Sequence, residues 1–155
     1  MSSLGPEAGH ALTFNPDHSM GPNHPLAHST KMRSKSMLSI SEQIVWVYTH
    51  NLEETARFYT GKLGLTLVRD EGSARIFRVS PSSCIGVCVA FEDRIVEPGG
   101  GMITFVTEHI DEWHEALSAN GVPIQKGPHV LEAFNVYTFF TKDPNGYIIE
   151  FQQFL

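Results

Sequence analysis

The pattern of apolar and polar positions predicts a series of short elements. From Ile44 to Thr49 the run Ile-Val-Trp-Val-Tyr-Thr is β-branched or aromatic almost throughout, as in a strand covered on both faces. Asn51 then offers an N-cap oxygen, Glu53 and Glu54 put carboxylates in a first helical turn, and Leu52, Ala56, Tyr59 and Leu63 recur at three- and four-residue steps. Such spacing lays one apolar face of a helix of about twelve residues on a sheet. Gly64 ends it. The apolar runs Leu65 to Arg69, Ala74 to Val79 and Cys84 to Phe91 are separated by turn-forming residues, so they predict an antiparallel meander.

The same order then recurs. Met102 to Thr107 predicts a strand, Ile110, Trp113 and Leu117 mark a helix face, and Gly121 closes the helix. Strands are expected at Pro123 to Gln125, Val136 to Thr141 and Tyr147 to Phe154, with His129 in a loop and a turn at Asp143-Pro144-Asn145-Gly146. The fold class is therefore α+β, with two tandem βαβββ modules in one domain spanning residues 40–155. One helix covers one face of each sheet, and the other face needs a partner. Two curved mixed sheets facing inward are expected to enclose a cavity suited to a small-molecule ligand.

Residues 1–39 lack this periodicity. Four of the eight histidines (His10, His18, His24, His28) and Pro6, Pro16, Pro22 and Pro25 lie here, the composition of a flexible tail. Lys31, Arg33 and Lys35 hint at targeting, but Glu7 and Asp17 and the missing amphipathic pattern weigh against it. With 41% hydrophobic and 18% charged residues the chain can bury a core. Its net charge of -6, without a basic run, argues against nucleic acid as a partner. No apolar stretch approaches the roughly 20 residues of a membrane helix, so a soluble, cytoplasmic protein is expected. Cys84 and Cys88 share one predicted strand, where about 13 Å separates them at roughly 3.3 Å per residue, too far for a disulfide.

The segments Asn51-Leu52-Glu53-Glu54, Arg57-Phe58-Tyr59 and Leu63-Gly64-Leu65, with the closing Asp143-Pro144-Asn145-Gly146-Tyr147-Ile148-Ile149-Glu150-Phe151, resemble the glyoxalase/bleomycin resistance/dioxygenase (vicinal oxygen chelate) superfamily. The resemblance spans residues 41 to 155 and implies the paired-module fold, often as a homodimer. It also implies a closing-hairpin glutamate that serves as metal ligand or proton shuttle. The superfamily's four metal-binding positions, carried over by register, are Ile44, Val87, Met102 and Glu150. Three of these side chains are apolar and unsuited to a hard divalent cation, so no metal cofactor is expected.

Glu150 remains as the candidate catalytic group, a carboxyl able to give or take a proton. Trp46, Tyr48, Thr104, Tyr137 and Gln152 are expected to line the cavity with it. Arg75 and Arg78 have opposite parity, so only one faces inward, and Arg75 is taken as the candidate. The expected function is binding or conversion of a small, mostly apolar molecule. Conversion would be of lyase or isomerase type; the alternative is a non-catalytic binder of the bleomycin-resistance type.

Overall fold

The computed structural model describes residues 39–155; the tail expected over 1–39, with its histidines and basic residues, lies almost wholly outside them. The first module runs β1 (Gln43–Thr49), α1 (Leu52–Arg57), β2 (Thr66–Asp70), β3 (Ala74–Ser80) and β4 (Ser83–Val89). The second runs β5 (Met102–Val106), α2 (Ile110–Ala119), β6 (Ile124–Leu131), β7 (Val136–Lys142) and β8 (Ile148–Phe154). The sheets have the orders β1-β4-β3-β2 and β5-β8-β7-β6. β1 runs parallel to β4 and β5 parallel to β8, while the other pairs are antiparallel. The repeat read from the sequence is thus an architectural repeat.

Local chemistry explains the element boundaries. Asn51 Oδ1 accepts the backbone N–H of Glu54 at 3.1 Å and its Nδ2 donates to Glu54 Oε2 at 3.1 Å, so cap and third residue satisfy each other. α1 passes into one π-helical stretch, Phe58–Lys62, before Gly64 turns the chain at φ 66°. β6 departs from expectation. It extends to Leu131, carries His129 within the strand rather than in a loop, and shifts register on either side of Lys126. These irregularities let Gly127 and Pro128 sit in a strand at the sheet's edge.

One continuous core joins the helix-bearing faces of both sheets, from Leu52, Tyr59 and Phe77 in the first module to Ile110, Leu117, Phe139 and Phe151 in the second. Phe139 and Phe151 stack at 4.8 Å. The modules are tied by Tyr59 Oη donating to Asp143 Oδ2 at 3.2 Å and Asn145 Nδ2 donating to Thr55 Oγ1 at 3.1 Å. The opposite faces stay open, with Trp46 at 41% and Met102 at 51% exposure. The expectation of two sheets enclosing a cavity is therefore corrected. The sheets curve without closing, because the shared core lies on their helix-bearing sides.

Candidate functional site

Glu150 lies on β8 between β5 and β7, with Thr104 and Phe140 as its cross-strand partners. Paired residues in a sheet share a face, so all three project away from the helix. Ile149 and Phe151, its neighbours in sequence, point into the core. Glu150 is buried. Thr104 Oγ1 donates to its Oε2 at 2.9 Å. Thr138 Oγ1 lies 2.9 Å from its Oε1 and 2.8 Å from the Phe151 carbonyl; one hydroxyl proton serves either acceptor at a time. Among the described residues no salt bridge reaches Glu150.

Above this carboxyl opens a cleft of about 610 Å³, walled by Met102, Val106, Leu131, Val136, Phe140 and Phe154, with Thr104, Glu150 and Gln152 as its polar groups. Of the residues expected in the site, Thr104, Glu150 and Gln152 thus come together. Trp46 and Tyr48 face away from their helix as expected, but line recesses beside β1 that share no residue with this cleft.

Three expected positions are corrected. Arg75 pairs with Val87 across β3 and β4 and binds Glu53 at 2.6 Å and Asp70 at 2.9 Å on the helix side; Arg78 has the open-face parity and pairs with Glu42. Tyr137 donates to Asp111 at the start of α2 at 2.7 Å, which holds its ring on the helix-bearing face and its hydroxyl pKa above the ordinary range. Val87 pairs with core Val47 and is itself fully buried there, so it cannot reach the open face. In the first module the Trp46–Gly86 pair takes the place that Thr104–Glu150 takes in the second.

Sequence reasoning missed Thr138 and His129, and it named Phe140 only as one of a cluster of aromatics, Phe134, Tyr137, Phe139 and Phe140, assigned mainly to the core. Thr138 and Phe140 follow from counting the β7–β8 hairpin across from Glu150. His129 pairs with Thr138 on the same face, beyond two register shifts that hide its parity. Its Nδ1 lies 2.9 Å from the Gly127 carbonyl and its Nε2 is buried without a partner among the described residues.

The residues present do not suit a divalent metal. At the register positions stand Ile44, Gly86, Met102 and Glu150, a set with one carboxylate and one thioether where a hard cation takes several oxygens. The place opposite Trp46 is also filled, since a Cβ on residue 86 would collide with the Trp46 indole. Among the described residues no three His, Cys, Asp or Glu side chains gather to hold an ion.

The family model described as Glyoxalase/Bleomycin resistance protein/Dioxygenase superfamily matches residues 40–151. No curated protein sequence matches significantly. Among solved structures, an integron cassette protein from the mobile metagenome of the Halifax Harbour sewage outfall is 26% identical with a TM-score of 0.62, covering 72% of this chain and 97% of that one. Lactoylglutathione lyase from Agrobacterium tumefaciens is 20% identical with a TM-score of 0.60, covering 72% and 91%. TioX from Micromonospora sp. ML1 is 15% identical with a TM-score of 0.63, covering 74% and 99%. The last two likenesses are of fold.

Proposed function

The chain belongs to the glyoxalase/bleomycin resistance protein/dioxygenase superfamily, and from that premise we propose that it acts on a small, mostly apolar, carbonyl-bearing molecule without a divalent metal, Glu150 moving the proton. The observation that carries this reading is Glu150 itself, a buried carboxyl beneath an apolar cleft, its oxygens engaged by threonine hydroxyls. Thr104 and Thr138 orient it for a proton transfer. In an isomerase-type reaction the carboxylate takes a proton from a ligand carbon and returns it at another atom of the same molecule; in a lyase-type reaction the carbanion so formed expels a leaving group, which takes the electron pair and then the proton from Glu150. Gln152 supplies an amide to fix the ligand's polar end.

The test is exchange of ligand carbon-bound protons in D₂O, followed by NMR on a panel of aromatic carbonyl compounds. Glu150→Gln is expected to abolish exchange while ligand binding stays within about tenfold. Exchange that survives the substitution would refute the role of Glu150. One equivalent of transition metal in the purified protein would refute metal independence. A second reading, non-catalytic binding of the bleomycin-resistance type, draws on the threonines that engage both carboxyl oxygens, an arrangement that suits a fixed acceptor; it predicts binding without exchange before and after substitution. The open apolar faces support a homodimer, and the free thiols of Cys84 and Cys88 fit the reducing cytoplasm.

A further inference from the structure

The open face of the first module carries groups that the Glu150 cleft does not use. Trp46 lies across Gly86, where the absent side chain leaves room for the indole. The residue is 41% exposed, and the indole face turned away from Gly86 offers a flat apolar surface to a ligand. It borders a recess of about 440 Å³ with Tyr48, Asp93, Arg94, Glu97 and Tyr147.

Tyr147 gives this recess a directed polar group. Its Oη accepts the backbone N–H of Tyr48 at 3.2 Å and that of Glu97 at 3.3 Å. Two N–H groups from separate segments thus occupy its acceptor positions and fix the oxygen. The hydroxyl's own proton has no acceptor among the described residues, so it remains to be donated. The rim is not a place for an anion. Arg94 is paired with Asp93 at 2.8 Å and stands over the Phe91 ring at 5.2 Å, leaving the Glu97 carboxylate as excess charge.

We infer that this recess is a second ligand site, which takes a neutral, planar aromatic molecule stacked on Trp46 with a carbonyl oxygen accepting the Tyr147 hydroxyl proton. The site is built from one chain and does not depend on Glu150 being catalytic. A probe pair that differs only in the carbonyl, 9-fluorenone and fluorene, tests it by calorimetry. The wild type is expected to bind fluorenone about tenfold more tightly than fluorene, the worth of one hydrogen bond of roughly 1.4 kcal/mol. Tyr147→Phe should remove that preference and leave fluorene affinity unchanged, whereas Trp46→Leu should weaken both probes.

Because Tyr147→Phe also strips two N–H groups of their acceptor, a wild-type measurement accompanies it. The amide NMR signals of Tyr48 and Glu97, which report on the hydroxyl oxygen, are expected to shift with fluorenone and not with fluorene. Equal affinity for the two probes, no binding of either, or a fluorenone preference lost in Glu150→Gln and kept in Tyr147→Phe would overturn the assignment. The last outcome would place the probe in the Glu150 cleft, so failure here is distinguishable from failure of the reading above.

Discussion

Asp143 illustrates how one side chain joins the modules. Its carboxyl is buried, receives the Tyr59 hydroxyl at 3.2 Å, and accepts the backbone N–H groups of Asn145 at 2.8 Å and Tyr147 at 3.0 Å. Loss of hydration on burial raises its pKa above the ordinary 3.8, and these hydrogen bonds offset only part of that rise. The folded state therefore binds this proton more readily than the unfolded chain. The associated stability is fully present below the ordinary value and is lost as pH rises through the folded one. Asp143→Asn removes that titration and one acceptor set, at a cost of about 1–3 kcal/mol. In urea unfolding, the wild type's advantage over the variant is expected to shrink as pH rises above the ordinary carboxyl value of 3.8; a constant or widening gap would contradict the assignment. Parity along a strand made Trp46 and Tyr48 legible as open-face residues. It left Arg75 and Arg78 undecided, because the choice between them depends on which of β4's residues lie opposite.

At the scale of elements, α1 rests on its cap. Asn51→Ala removes the bond to the Glu54 N–H and is expected to cost about 1 kcal/mol in chemical unfolding, with Asn51→Asp close to wild type. An alanine variant as stable as the parent would show that α1 is held by its packing alone. Caps, glycine stops and turn residues were readable because they act over a few neighbouring positions. Val87 shows where that reading fails. Its strand was recognised, but β1 and β4 are parallel and joined through a helix and two other strands. The register that sets Trp46 against Gly86 is therefore a long-range choice, and a one-residue offset exchanges core for open face. β6 fails for a related reason, since Gly127 and Pro128 look like a break in sequence while the edge of the sheet tolerates them.

At the scale of the molecule, the open side of the second module leaves Met102, Val106, Phe134 and Phe154 more than half exposed, and clustered exposed apolar side chains of this kind mark a surface that a ligand or a second copy of the chain covers. Sedimentation at micromolar concentration is expected to report about twice the 17.2 kDa chain mass, and Phe134→Glu with Phe154→Glu should return it toward one; a wild-type monomer would refute the pairing. The sequence by itself determined the two βαβββ modules, their helix faces and the closing turn, because periodicity, capping and turn chemistry are local; the singling out of Glu150 rested on the family resemblance. Only the tertiary structure decided that the shared core lies between helix-bearing faces, that Trp46 and Glu150 belong to different clefts, that Arg75 and Tyr137 turn toward helices, and that Thr138 reaches Glu150. Those outcomes depend on register and packing between segments far apart in the chain, where one residue of slip exchanges inside for outside.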